Sequence, residues 1–222
     1  MLAQSARKPK AFKGVGMEGP IAAWYAKNTA AALPDMRRTA AEIAARLDPG
    51  DWVLEVAPGP GYLAVELARL GLTVSAVDIS RSFVRIGQDY AARTGVRVDF
   101  RHGDAAALPF EDESFDAVVC RAAFKNFGDP QSALNEMRRV LRAGGQALLI
   151  DMRHDATNAG IDDEVRKLRL GPVGAFMTRG ALRSLRKRAY SQGQFERMIA
   201  AAGFSDSHID AGPIGFDIRM VR

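Results

Sequence analysis

Cysteine occurs once, at Cys120, in a chain of 222 residues. A single thiol can form no internal disulfide and supplies no cysteine cluster for zinc. It lies in the apolar run Ala117-Val-Val-Cys120, where it reads as a small core side chain rather than a nucleophile. Histidine is nearly as scarce. His102, His154 and His208 stand far apart in sequence, so no histidine metal site is expected. No apolar run approaches the roughly 20 residues of a membrane-spanning helix. Arg7, Lys8, Lys10 and Lys13 have no apolar segment behind them, which argues against a secretory signal and makes the cytoplasm the expected location. Internal repeats and low-complexity tracts are also missing.

What is present is a core. Apolar residues make up 47% of the chain, which excludes a disordered protein, and the length suits one domain with a lid or small insertion. The net charge of +5 is unevenly spread. Residues 1–16 carry four positive charges and no acid, and between Glu164 and Arg188 eight basic residues accompany one acid. Such runs are either solvated faces or footprints of an acidic partner: an anionic substrate, nucleic acid or a membrane surface.

Apolar spacing predicts helices over Pro20–Ala32 and Met36–Leu47, the second stopped by Asp48-Pro49-Gly50. Strands and helices then alternate. Strands are expected at Trp52–Val56, Thr73–Val77, Arg97–Arg101, Phe115–Cys120 and Gln146–Asp151. Helices are expected at Tyr62–Leu70, Arg81–Thr94 and Gln131–Leu141, the last stopped by Ala143-Gly144-Gly145. Alternation of this kind, with nearly continuous apolar strands, implies an α/β protein with a doubly wound, mostly parallel sheet. After Arg153 the rhythm breaks into a basic, loop-rich or helical stretch. A helix at Gln192–Ala202 and weak strands near Ser207–Ala211 and Gly215–Val221 complete seven strands. The expected organisation is a single domain over 1–222, with an N-terminal arm and cap helices at 1–48 and a basic lid or insertion at 154–189.

The chemistry gathers where the first strand ends. Val53-Leu-Glu-Val-Ala-Pro-Gly-Pro-Gly-Tyr-Leu63 is a buried strand, a glycine-rich turn and a helix start, the place where α/β proteins bind nucleotide-like ligands. Parallel strands bring their carboxyl ends to one edge, so Glu55, Asp78 and Asp104 converge around the turn. Asp78, ending the second strand, is placed to accept both hydroxyls of a ribose, and Asp104 to meet a purine amine. Gly59-Pro-Gly61-Tyr-Leu-Ala64 also fits a dinucleotide pattern. A pyrophosphate there would lie against Glu55, which better suits a ligand bringing an amine or other cation. The plainer alternative is that Glu55 and Asp78 only cap helices or pair with arginines.

Four blocks together resemble the class I S-adenosylmethionine-dependent methyltransferases, particularly the group similar to the ubiquinone/menaquinone C-methyltransferases. They are Val53-Leu-Glu-Val-Ala-Pro-Gly-Pro-Gly61, Val77-Asp-Ile-Ser80, Gly103-Asp-Ala-Ala-Ala-Leu-Pro-Phe-Glu-Asp-Glu-Ser-Phe-Asp-Ala117 and Glu136-Met-Arg-Arg-Val-Leu-Arg-Ala-Gly-Gly145. The resemblance implies a Rossmann-like methyltransferase fold, S-adenosylmethionine as cofactor, and methyl transfer to a small molecule by in-line displacement. It implies that Glu55, Ala57, Gly59 and Gly61 lie by the methionine part of the cofactor, Asp78 by the ribose, Ile79 against the adenine, Asp104 and Ala105 by the adenine amine, and Arg121 nearby. Ala57 stands where the family usually has glycine.

An activated methyl needs mainly an acceptor held in line and water kept out. His154, after the fifth strand, is a candidate base, with the surface role of any loop histidine as its alternative. Trp24 and Tyr25 are candidates for an aromatic wall, and Phe124 and Lys125 for contacts to an aromatic or anionic acceptor. The stretch Arg121-Ala-Ala-Phe-Lys-Asn-Phe127 lacks the Asn-Pro-Pro-Tyr of enzymes that methylate amide or exocyclic nitrogens. The alternatives kept open are an RNA methyltransferase and a non-methylating member of the fold, either a cyclase or scaffold or an NAD-type oxidoreductase.

Overall fold

Residues 12–14 and 16–222 are described by the computed structural model of this chain; Arg7, Lys8 and Lys10 of the basic arm lie outside them. The first helix, α1 (Pro20–Thr29), begins on a proline, whose missing N–H no first turn would use. A single 3-10 turn at Ala30–Ala32 joins it to α2 (Leu33–Ala44). That helix starts and ends three residues earlier than the apolar spacing suggests, because Pro34 sits in its first turn and the Asp48-Pro49-Gly50 turn needs a short approach.

The alternating unit follows as β1 (Trp52–Val56), α3 (Tyr62–Arg69), β2 (Thr73–Asp78), α4 (Arg81–Thr94), β3 (Asp99–His102), β4 (Phe115–Arg121), α5 (Pro130–Val140) and β5 (Leu141–Met152). Then come α6 (Asn158–Lys167), α7 (Pro172–Arg186), α8 (Gln192–Ala202), β6 (Asp206–Ala211) and β7 (Gly215–Val221). The basic stretch after β5 is thus a pair of helices. They share a small apolar cluster of Met152, Ile161, Val165 and Ala189, with Leu182 and Leu185 packed on it.

The seven strands form one open sheet in the order β3-β2-β1-β4-β5-β7-β6. Strands β1 to β5 are parallel. Strand β7 alone runs against its neighbours, because a short loop returns it as a hairpin from β6. The doubly wound, mostly parallel sheet expected from the alternation is therefore present. Its two faces carry separate cores: α5 and α8 cover one through Leu134, Met137, Phe195 and Ile199, while α2 and α3 cover the other through Ile43, Leu63 and Leu67.

Ala143-Gly144-Gly145 does not stop a helix. Helix α5 ends at Val140 and β5 begins at once, with the glycines in a bulge: Phe115 pairs with Leu141, and Ala117 next with Gln146. A Cβ on Gly145 would stand 2.9 Å from the Arg142 carbonyl oxygen and 3.0 Å from that of Asp116, so the bulge requires glycine there.

Candidate active site

Strand register sets the site. Val56 lies opposite Val77, Asp78 opposite His102, and Arg121 opposite Ile150, so β1 to β5 deliver their carboxyl ends to one edge. Past β1 the chain turns sharply. Ala57, Gly59 and Gly61 all take positive φ, at 57°, 56° and 79°. Gly61 is fixed by space as well as by angle, since its Cβ would stand 2.6 Å from the Phe100 ring and 3.2 Å from Gly87 Cα. The turn brings the amino end of α3 against the strand, so that the Ala64 N–H acts on the Glu55 carboxyl.

Glu55 is buried, and its second oxygen, Oε2, has no hydrogen-bond partner. Burial pushes its pKa up to about 8, against the pull of the Ala64 N–H and the Arg121 charge. Asp78 accepts from the Gly59 N–H at 3.0 Å and the Ser80 N–H at 2.8 Å, so it braces the turn from the next strand. Burial raises it to about 6, the backbone bonds opposing. A carboxylate has about four acceptor sites, so both retain capacity for a ligand. Ile79 is exposed beside Asp78; Asp104, half-buried, accepts from the Ala106 N–H at 3.0 Å, with Ala105 packed on the core. His102 reaches the Ile79 carbonyl at 3.1 Å.

The cap helices close the front. Tyr25 stacks edge-on against Phe83 at 5.7 Å, and burial raises its phenol pKa while Arg121 and Asp78 act on it in opposite senses. Its ring lies over the turn, 4.0 Å from where a Cβ on Gly59 would stand. Arg121 is held by Asp35 of α2 and by the Met36 sulfur at 3.3 Å. Glu55, Asp78, Tyr25 and Arg121 thus form one cluster around the turn.

Other sequence candidates fall elsewhere. Trp24 is 62% exposed and directed to solvent, away from the wall expected of it. Phe124 is wholly buried among Phe127, Tyr190 and Phe195. Lys125 is buried in an ion pair, its ammonium 2.7 Å from Asp151 and 2.6 Å from the Ala122 carbonyl oxygen. Neither side chain is offered to an acceptor, and the contacts expected of them are corrected to core packing and a strut between β4 and β5. His154 is on the surface, its Nδ1 3.3 Å from the Arg186 carbonyl oxygen. It lines an open cavity of about 410 Å³ with Lys13, Lys187, Arg188, Tyr190 and Gln194. Lys13 donates to the Tyr190 hydroxyl at 2.7 Å, and Arg188 to the Lys13 carbonyl at 2.6 Å.

Sequence reading missed three supports. Glu18 accepts from the Arg81 and Ser82 N–H groups at 2.8 and 3.0 Å and from the Ser82 hydroxyl, capping α4 directly behind Asp78. Its one signal is an acid just before Gly19-Pro20 in an otherwise basic N-terminus. Asp35 and Asp151, partners of Arg121 and Lys125, carry no local signal.

Comparison with known proteins follows the same outline. The family described as "Methyltransferase domain" matches residues 54–149. A demethylmenaquinone methyltransferase of Renibacterium salmoninarum is 41% identical over 106 residues, covering 48% of this chain and 43% of that protein. The match therefore spans less than half the length of that relative. A demethylmenaquinone methyltransferase of Thermus thermophilus is 33% identical over 178 residues, covering 76% of this chain and 80% of that protein. Among crystal structures, a Methanococcus maripaludis protein assigned to the S-adenosyl-L-methionine-dependent methyltransferases has the same fold. The TM-score is 0.73 at 20% identity, with 94% of each chain covered.

Proposed function

This chain belongs to the class I S-adenosylmethionine-dependent methyltransferases, and we propose that it moves a methyl group from that cofactor to a small aromatic acceptor of quinol type. The observation that carries the cofactor reading is Glu55 Oε2, a buried carboxylate oxygen without a partner at the glycine turn. A buried acceptor left unpaired costs roughly 1–3 kcal/mol. The cofactor's ammonium is the donor that would satisfy it. Asp78 would take the ribose hydroxyls, Ile79 would lie along the adenine, Asp104 and Ala105 would border its amine, and Tyr25 with Arg121 would cover the methionine end. When bound, the cofactor supplies a methyl already activated by its sulfonium. A pyrophosphate brings no donor to Glu55 Oε2 and would leave it unpaired, which disfavours the NAD alternative.

Relatives named for menaquinone support the acceptor class. So does the cavity at His154, rooted at the end of β5, about 10 Å from the end of β1 at two strand spacings. Lys13, Lys187 and Arg188 line it without a carboxylate, which suits an acceptor hydroxyl that must ionise before the ring carbon attacks. His154 would take that proton. A carbonyl can only accept, so His154 Nδ1 carries the hydrogen and Nε2 the lone pair. The helical pair α6 and α7 beside this cavity would be its lid.

Calorimetric titration with S-adenosylmethionine, S-adenosylhomocysteine and NAD in parallel tests the reading. Binding of the two sulfur-containing ligands alone is expected. Asp78→Ala should weaken them by about tenfold or more, roughly 1.4 kcal/mol, and should also lower the melt, because the Gly59 and Ser80 N–H groups lose their acceptor. Equal binding of NAD, or unchanged affinity in that variant, would refute the site.

A further inference from the structure

Helix α7 buries none of its fifteen residues. On its first turns Val173, Phe176 and Met177 are 73%, 75% and 64% exposed, and they share one face by their spacing of three and four. Just before it, Arg169 takes positive φ (49°) and reverses the chain from α6, leaving Leu168 and Leu170 exposed on either side. Five large apolar side chains therefore stand together on the tip of a helical hairpin. The other side of α7 holds Leu182 and Leu185 against α6, so this face is not the one the hairpin uses to fold.

Positive charge is in excess along the hairpin. Between Asp162 and Arg183 there are five basic residues against three acidic ones, and Arg186, Lys187 and Arg188 follow at the far end of α7. Arg166, Lys167 and Arg179 pair with Asp163, Glu164 and Asp162. Among the described residues, Arg169, Arg186, Lys187 and Arg188 pair with no carboxylate. An exposed apolar tip with the unpaired Arg169 beside it, on a hairpin with excess positive charge along its length, is complementary to an anionic, apolar-cored surface. A helix face of this composition lies in a membrane interface, its apolar residues among the acyl chains and its cations at the headgroups. A second copy of the chain fits less well, because two such tips face to face would oppose like charges.

We propose that the α6–α7 tip docks this protein on an anionic lipid surface, through insertion of Leu168, Leu170, Val173, Phe176 and Met177. The hairpin springs from the end of β5, and its base, not its tip, lines the His154 cavity, so docking through the tip holds the sheet edge that carries the cavity facing the membrane at a distance of roughly one helix length. The docking itself depends on neither the cofactor nor the acceptor.

Sedimentation of the whole protein with vesicles tests it, phosphatidylcholine mixed with phosphatidylglycerol against phosphatidylcholine alone. The protein should bind the anionic vesicles and largely ignore the neutral ones. The combined variant Val173→Ser, Phe176→Ser and Met177→Ser should bind at least about tenfold less, with its melt and its S-adenosylhomocysteine affinity retained, since each altered side chain is already exposed. Three results would overturn the proposal: binding to anionic vesicles that the serine variant keeps, which would be electrostatic adhesion only; no binding to either vesicle; or no vesicle binding together with self-association that the serine variant abolishes. The vesicle assay contains no cofactor, so its failure would leave the methyltransferase reading standing.

Discussion

Ala57 carries a left-handed backbone (φ 57°) at the point where β1 gives way to the turn. A Cβ in that region costs roughly 1–2 kcal/mol, partly offset because glycine loses more entropy on folding. Ala57→Gly should therefore stabilise the protein by up to about 1 kcal/mol in urea denaturation. A loss of stability would mean that the Ala57 methyl packs on the core more strongly than the backbone resents it. Glu55 yields a sharper prediction at the same scale. With its pKa near 8, it holds its proton at neutral pH before ligand arrives. An ammonium placed against Oε2 favours the ionised form, so cofactor binding at pH 7 should release a proton. Calorimetry in buffers of different ionisation enthalpy would read close to one proton released, and Glu55→Gln should abolish the release. An absence of proton release in the native protein would separate Glu55 from the ammonium. The sign for stability is opposite to that of an ordinary paired carboxylate. The folded pKa lies above the unfolded value of 4.5, so the unliganded protein loses stability as pH rises from 4.5 toward 8.

Between elements, the strut from Lys125 to Asp151 joins the turn after β4 to the end of β5. Asp151 also accepts the Lys125 N–H at 2.8 Å and the Met152 N–H at 2.6 Å, so both strand ends hang on one carboxylate. Lys125→Met leaves that carboxylate buried without its counter-ion and should cost about 3–5 kcal/mol in chemical denaturation. Lys125→Met combined with Asp151→Asn should recover part of the loss; additive losses would show that the two groups do not act as a pair. This strut was invisible in sequence for a physical reason. Lys125 and Asp151 are 26 residues apart, and only the β4–β5 register brings them together. The same holds for Arg121 with Asp35. Elements with local periodicity were legible: β1 and α4 were expected at their observed bounds, and the edge position of Glu55, Asp78 and Asp104 followed from parallel strands alone. The bulge in β5 was not, because a Gly-Gly pair reads equally as a helix stop or as a strand kink. Phe124 and Lys125 misled in the same way. An aromatic and a cation after a strand suggest a binding surface until burial shows where they point.

Across the whole molecule, the ligand edge is closed by a segment remote from it in sequence. Met17 to Gly19 is pinned to the start of α4: the Glu18 carboxylate takes two backbone N–H groups and a hydroxyl, and Ser82 Oγ accepts the Gly19 N–H at 2.9 Å. From that anchor α1 swings Tyr25 over the glycine turn, and Tyr62 fastens it by donating to the Ala26 carbonyl at 2.7 Å. Few apolar side chains hold α1, whose buried residues are Ala22 and Ala26 alone, so its local opening should cost far less than unfolding the sheet. A ligand seated under Tyr25 binds only the closed arrangement and must stabilise it by mass action. Amide exchange over residues 17–29 should therefore slow on addition of S-adenosylhomocysteine, while β1, β2 and β4 scarcely change. Glu18→Ala removes the anchor. It should speed exchange over 17–29 without ligand and weaken S-adenosylhomocysteine by up to about fivefold, leaving the sheet's protection intact, as loss of a helix cap worth about 1 kcal/mol would. If residues 17–29 already exchange as slowly as the sheet and ignore the ligand, the segment is fixed architecture and not a closing strap. Ionisation adds a further check. The Ser82 hydroxyl bond holds the Glu18 carboxyl below its usual pKa, so the anchor is complete above pH 4.5 and is lost as pH falls through the lowered value. Glu55 is already protonated over that range, so acid should release the strap without disturbing the buried carboxyl, and the protection factors over 17–29 should fall at a pH where the sheet is still fully protected.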